Sequence, residues 1–129
     1  MLPALDDVNR AYWTGGHDGQ LLIERCVSCK RWQHPPTGKC DACTGPVVPE
    51  VVQGRGTVFT FTVNEHQFHS DVPPPYVIAI VELDEQADLR VVANLTACDP
   101  AEVRVGQRVE VVFEDHGEHS VPVFVPEAP

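Results

Sequence analysis

Four of the five cysteines stand in two pairs, Cys26-Val-Ser-Cys29 and Cys40-Asp-Ala-Cys43, with ten residues between the pairs. Two residues between thiols let one tight turn aim both sulfurs at a single ion, and two such turns complete a tetrahedron. This spacing predicts a structural zinc site on Cys26, Cys29, Cys40 and Cys43. Disulfides are the poorer reading, because a cytosolic chain rarely uses them. Two redox dithiols would need a strand–helix context that these segments lack. Lys30, Arg31 and Lys39 offset the charge of four thiolates, and Gly38 and Gly45 suit the knuckle turns. The fifth cysteine, Cys98, reads as a small buried apolar residue rather than a nucleophile, with no histidine near it in sequence.

The six histidines are His17, His34, His66, His69, His116 and His119. The pairs His66/His69 and His116/His119 fall in expected loops and polar company, where solvated histidines outnumber metal ligands. A metal-dependent hydrolase built on them is one alternative reading. There is no Gly-x-Ser-x-Gly elbow, phosphate-binding loop or dinucleotide fingerprint. The many carboxylates form chance pairs on so acidic a chain, so no residue is assigned a catalytic role.

Nine Lys/Arg against nineteen Asp/Glu leave a formal charge of −10, with five bases and six acids in residues 1–50 but four bases and thirteen acids in 51–129. Such a surface repels phosphate backbones. Single-stranded nucleic-acid binding stays as a second alternative, because Phe59 and Phe61 could stack bases. Its basic groove would have only Arg55, Arg90, Arg104 and Arg108 to draw on. No apolar run approaches the ~20 residues of a membrane span. The first ten residues, MLPALDDVNR, carry acids where a signal peptide carries bases. A cytoplasmic protein is expected.

The elements that must position these residues divide at about residue 48. Residues 1–48 hold a short helix and the ribbon, and residues 49–129 a β domain. Residues 3–14 suit a helix, with Pro3 in the first turn, Asp6 and Asp7 at its positive end and Gly15-Gly16 stopping it. Gln20–Arg25 reads as the strand into the first knuckle and Arg31–His34 as the strand out of it. Beyond residue 48 the pattern is all strand: 56–63, 76–83, 89–95, 107–113 and 120–125. In the first of these, Val58, Thr60 and Thr62 alternate with Phe59, Phe61 and Val63, and Phe59, Phe61 and Phe113 are expected to fill the core. The run 76–83 is apolar almost throughout and reads as a central strand. Pro122 argues for an edge position in the last strand. Five strands without an intervening helix of normal length fit a five-stranded OB-type barrel, with an SH3-like barrel as competitor. The fold class is mainly β: short helix, rubredoxin-like zinc ribbon, OB-fold barrel.

The ordered set of Tyr12-Trp13, Gly19-Gln-Leu-Leu, Cys26-x-x-Cys29, Pro35-Pro36, Cys40-x-x-Cys43, Gly54-x-Gly-x-Val58 and Val105-Gly-x-x-Val109 resembles the acyl-CoA-associated zinc-ribbon/OB-fold proteins. These were long catalogued as a domain of unknown function. The resemblance covers nearly the whole chain. It implies a non-catalytic accessory subunit of a thiolase-superfamily enzyme, a thiolase or a retro-aldolase of steroid side-chain degradation. Some members stand beside or are fused to enoyl-CoA hydratases. The implied complex cleaves a carbon–carbon bond in an acyl-CoA thioester, by retro-aldol or thiolytic chemistry. The implied assembly is a hetero-oligomer without nucleic acid or membrane.

Docking on a partner enzyme needs large side chains that a small domain does not bury itself. Trp13, Phe68 and Tyr76 lie nearest the expected loops and element ends and are the candidate interface residues. Trp32 reads instead as the aromatic that packs over the knuckles. Pro73-Pro74-Pro75 is a stiff stretch leading into Tyr76, suited to bracing the loop before it.

Overall fold

In the computed structural model, residues 2–65 and 75–128 are described. They form two compact units, Met1–Gln53 with Phe113–Pro122, and Gly54–Val112 with Val123–Pro129.

The first unit is built on a three-stranded antiparallel sheet in the order β2-β1-β3. Its strands are β1 (Leu21–Cys26), β2 (Trp32–Gln33) and β3 (Val47–Val52). β1 is the middle strand; Leu21 and Ile23 are buried on one of its faces, and Glu24 and Cys26 on the other. β3 runs along all of β1, from Leu21 opposite Val52 to Cys26 opposite Val47. The sequence reading contains no strand here. Pro49 breaks the pattern, and four of the six residues, Val48 to Val51, are exposed. A proline lacks an N–H to donate, which an outer strand tolerates.

The helix is shorter than the expected 3–14. It spans α1 (Arg10–Thr14) and passes straight into a 3-10 turn at Gly15–Asp18. The preceding residues close a side-chain turn instead: Asp6 Oδ1 accepts from the N–H groups of Val8 and Asn9, both at 2.8 Å, and Asn9 Oδ1 accepts from Asp6 N. Such local bonds compete with helix. The α-helix ends at Thr14 with Gly15 as its C-cap, as expected, and the left-handed Gly19 (φ 72°) closes the 3-10 turn that follows. A Cβ on Gly16 would collide with Ser120 Oγ and the Phe113 ring, so this glycine serves close packing. Phe113 is therefore half-buried in the first unit and not in the barrel core, where it was expected.

Five strands form a closed barrel, β4 (Arg55–Asn64), β5 (Tyr76–Leu83), β6 (Arg90–Leu95), β7 (Arg108–His116) and β8 (His119–Pro126), ordered β4-β5-β6-β8-β7, in which the end of β7 and the start of β8 are the stretch Phe113–Pro122 counted with the first unit. β7 returns to β4 through Arg55–Glu110, Gly56–Val109 and Thr57–Arg108. β6 and β8 run parallel at Leu95 and Phe124, where Thr96 N donates to Phe124 O at 2.8 Å. This mixed closure is the five-stranded OB topology. β5 lies between β4 and β6, as its apolar run predicts. Val77, Ala79, Val81 and Leu83 face the core while Tyr76, Ile78, Ile80 and Glu82 are half-exposed. Pro122 marks no sheet edge, because the barrel is closed; it is buried in the stretch of β8 that belongs to the first unit.

One irregularity changes which aromatic residues fill the core. The β4–β5 register slips between Val58 and Thr60, leaving Phe59 in a bulge without a partner in the ladder. Val58 is buried, Phe59 is 47% exposed and Phe61 is half-buried opposite Ala79. The Arg90 guanidinium sits 3.8 Å over the Phe59 ring. The fully buried aromatic of the barrel is Phe124. Phe124→Ala should destabilise the chain by about 3–5 kcal/mol, and Phe59→Ala by no more than about 1 kcal/mol. Denaturant melts of both variants check this, and equal losses would contradict the burial pattern.

Candidate metal centre

The two cysteine pairs sit on backbone turns of the same construction. In the first, Cys26 N donates to Arg31 O (2.9 Å) and Lys30 N to Cys26 O (3.1 Å). In the second, Cys40 N donates to Gly45 O (3.0 Å) and Thr44 N to Cys40 O (2.9 Å). The offsets are identical, so each turn presents its two thiols in the same way. The residue after each second cysteine, Lys30 (φ 68°) and Thr44 (φ 61°), is left-handed. The expected turn glycine Gly45 does not take that conformation. Its role is space: a Cβ there would lie 3.2 Å from Cys43 Sγ and 3.4 Å from Cys26 Sγ.

The four sulfurs converge within 4.8 Å of one another. Cys26 Sγ lies 3.4 Å from Cys43 Sγ, and Cys29 Sγ lies 3.6 Å from Cys40 Sγ. These are not disulfide separations. They approach the edge of about 3.8 Å that a tetrahedron with ~2.3 Å zinc–sulfur bonds requires. Backbone N–H groups point at the sulfurs: Cys29 N to Cys26 Sγ at 3.3 Å, and Cys43 N and Ala42 N to Cys40 Sγ at 3.4 Å. The N–H of Cys29 is the main cause that lowers the Cys26 thiol to about 6, and the N–H of Cys43 is the main cause that lowers Cys40. Donors aimed at sulfur favour thiolate, the form that binds metal. The four cysteines are thus positioned to hold a metal ion, and their all-sulfur, closed arrangement suits structural zinc. Cys26 and Cys40 are buried, Cys29 and Cys43 exposed.

A buried polar network ties the knuckles together. Glu24 Oε1 accepts from Gln33 Nε2 (2.6 Å) and Thr37 N (2.9 Å), and Glu24 Oε2 accepts from Gly38 N (3.0 Å). Gln33 Nε2 also donates to Lys39 O at 2.8 Å, and Gln33 Oε1 accepts from Asp41 N at 2.9 Å. Two side chains of the sheet thereby hold the loop that carries Cys40. The sequence reading missed both, since a charged residue inside a strand ordinarily signals a solvated face. Trp32 is buried beside the knuckles, as expected, under the Arg25 guanidinium 4.6 Å from its ring.

Among the described residues, the cysteines are the only group of three or more His, Cys, Asp or Glu placed to share an ion. His116 pairs with Glu114 at 3.4 Å, His119 Nε2 lies 2.6 Å from Pro3 O and His17 Nε2 lies 3.3 Å from Glu118 O. His66, His69 and Phe68 lie outside the described residues. Cys98 is half-buried, and burial with nearby Asp99 and Glu102 raises its thiol, so it is no activated nucleophile. Trp13 is half-buried, with its ring edge-on to Tyr12 at 4.9 Å and His119 at 6.3 Å from it. Tyr76 is half-buried, and its hydroxyl accepts from Asn64 Nδ2 at 2.8 Å. No helix among the described residues is long and apolar enough to cross a membrane.

Fold and site together define a zinc-ribbon protein with an OB-fold barrel. Residues 13–48 match the family model described as the ChsH2 rubredoxin-like zinc ribbon domain, and residues 50–114 match the ChsH2 C-terminal OB-fold domain. The chain belongs to the ChsH2 zinc-ribbon/OB-fold family. It is similar to the "Probable enoyl-CoA hydratase alpha subunit" of Thermomonospora curvata, 34% identical over 98% of this chain and 40% of that protein. It is 30% identical to the "3-oxo-4,17-pregnadiene-20-carboxyl-CoA hydratase alpha subunit" of Mycobacterium tuberculosis, with the same coverage. The chain thus spans about 40% of the length of these curated relatives. Among solved structures, a chain of the "Ltp2-ChsH2(DUF35) aldolase" superposes with TM-score 0.87 at 31% identity, over 97% of this chain and 98% of that one.

Two outcomes follow. Cys26→Ala should release the metal, detected as loss of about one zinc per chain, and should remove hydrogen-exchange protection from residues 21–52. Retained zinc or unchanged protection would contradict the assignment. The second concerns His34, whose burial lowers it from the ordinary 6.5 to about 4 against the opposing pull of Glu24. Below pH 6.5 the unfolded chain takes a proton that the fold refuses, so stability falls as pH drops toward 4 and levels off below it. His34→Gln should flatten that part of the stability–pH curve, measured by denaturant melts at pH 4–7.

Proposed function

We propose that this chain is the zinc-ribbon/OB-fold accessory subunit of an acyl-CoA carbon–carbon lyase complex, with Cys26, Cys29, Cys40 and Cys43 holding a structural zinc. The observation that carries this reading is the end-to-end likeness to a chain of the Ltp2-ChsH2(DUF35) aldolase, at 31% identity over 98% of that chain. The partner is a thiolase-like enzyme, and the substrate a bulky acyl-CoA, steroid-like by analogy with the M. tuberculosis 3-oxo-4,17-pregnadiene-20-carboxyl-CoA hydratase alpha subunit. Retro-aldol cleavage is favoured over thiolysis on the aldolase likeness. This chain completes or stabilises the partner's site and supplies no catalytic group. The closed all-sulfur site supports that role, since a catalytic zinc keeps a position open.

A second reading has its own observation. Two hydratase alpha subunits match over 98% of this chain. The same ribbon and barrel then stand beside a hydratase, and the complex adds water to an enoyl-CoA. Nucleic-acid binding fares worse: the chain carries −10, and the one strongly exposed barrel aromatic among the described residues, Phe59, has Arg90 over its ring.

Trp13, Phe68 and Tyr76 are proposed as anchors of the partner contact. A lasting subunit contact buries about 1,600 Å² or more around a few large side chains. The test is native co-purification, identification of the partner and assay of the complex with steroid-like acyl-CoA thioesters for cleavage and for hydration. The complex is expected to release a shorter acyl-CoA together with a ketone, and the chain alone to turn over no acyl-CoA. Turnover by the chain alone would end the accessory reading, and hydration without cleavage would select the hydratase. Trp13→Ala and Phe68→Ala should each weaken association at least tenfold without lowering the melting temperature of the chain. Normal binding by both, with loss in Phe59→Ala or Val92→Ser, would move the contact to the barrel's outer face, where Val92 is 63% exposed.

A further inference from the structure

The first unit contains a cavity of about 230 Å³ beside α1 and the outer β3 strand, and nothing in the accessory reading uses it. Its apolar wall includes Val8, Ala11, Leu22 and Val47, and its polar groups are Asp7, Tyr12, Glu24 and His34. The volume exceeds several waters at about 30 Å³ each, and is enough for a short alkyl stem with one polar head. No Lys or Arg lines it.

The polar groups are fixed before any ligand arrives. Glu24 is 9% exposed and held by Gln33, Thr37 N and Gly38 N. Its Oε2 takes only the Gly38 bond, at 3.0 Å, and a carboxylate has about four acceptor positions. Tyr12 is 5% exposed, and its hydroxyl makes no hydrogen bond to any described residue. Its ring lies 4.6 Å from the His34 ring, centroid to centroid. Burial keeps the phenol protonated and the imidazole neutral at pH 7.

These groups discriminate between ligand classes. An anion meets two carboxylates and no base. A wholly apolar ligand would leave the Tyr12 hydroxyl and the open acceptor position of Glu24 desolvated without new partners, which disfavours it. A cation meets complementary groups at every polar position: carboxylate oxygens from Glu24 and Asp7, a hydroxyl oxygen, one imidazole acceptor nitrogen and the face of Tyr12.

We propose that this cavity binds an organic cation, an ammonium or guanidinium head on a short alkyl stem, with Glu24 as its fixed counter-charge and Tyr12 as its ring contact. The head can come from a free amine or from a Lys or Arg side chain of another protein. The proposal is independent of which enzyme the subunit serves, because its test uses the chain alone with its zinc.

The experiment is an NMR titration of that chain with n-propylguanidinium, n-propylammonium, neutral n-propylurea and N-acetyl-arginine amide. At least one alkyl cation should give saturable shifts at the Tyr12 and His34 rings and the Gly38 N–H, with n-propylurea at least tenfold weaker. Binding of N-acetyl-arginine amide at the same resonances identifies a protein side chain as an admissible source; its failure, with the small cations bound, restricts the source to free amines. Glu24→Gln should weaken the cation at least tenfold. Should that variant unfold, Asp7→Asn decides, since Asp7 is exposed at the cavity; about threefold weakening is expected. Equal response to n-propylurea, no saturable shift with either alkyl cation, or unchanged affinity in folded Glu24→Gln would overturn the proposal.

Discussion

The convergence of four cysteine sulfurs is the constraint on which the first unit depends. Its sheet is small, and β2 contributes only Trp32 and Gln33. Such a sheet buries too little apolar surface to hold two separate turns in register. What brings the turns together is that each ends on a pair of thiols, and the thiols share one point in space. The repeated bond pattern, from Cys26 N to Arg31 O and from Cys40 N to Gly45 O, makes the two halves near copies. A single ion can then substitute for a core.

The polar residues around that point follow from it. A loop of ten residues separates Cys29 from Cys40, long enough to place the second pair in many ways. Glu24 and Gln33 remove that freedom by capturing Thr37 N, Gly38 N, Lys39 O and Asp41 N. A buried carboxylate is costly unless its acceptor positions are filled, and here three donors fill most of them. The same arrangement leaves one face of Glu24 toward the cavity that Tyr12 and His34 border. A structural device for the metal loop thereby also creates an electronegative recess.

The barrel depends on a different principle. Closure through the parallel β6–β8 contact removes free edges, so the strands need not protect themselves with charge. Their outward positions are consequently free to be apolar, as Ile78, Ile80 and Val92 are. The accessory role proposed above would draw on such a surface, since association depends on apolar side chains left outside the core.

The metal ligands, the ribbon, the five strands of the barrel and the barrel class were legible from the chain alone, because each rests on local chemistry: cysteine spacing, period-two alternation, turn residues between runs. The length of α1 was not, since Asp6 and Asn9 satisfy their backbone through a side-chain turn that propensity does not distinguish from a helix start. β3 was hidden by Pro49, which is tolerated only because β3 has a free outer side, a fact of sheet order. Phe59 and Phe113 were placed in the core by alternation; a one-residue bulge turned the first outward, and the glycine at position 16 drew the second into the other unit's packing. Which side chains share the cavity was equally invisible, because Tyr12 on α1, Glu24 on β1 and His34 in the bend after β2 are brought within reach only by the tertiary fold. Spacing along the chain determined what could bind a metal; the register and order of strands decided which charged and aromatic groups would be buried beside it.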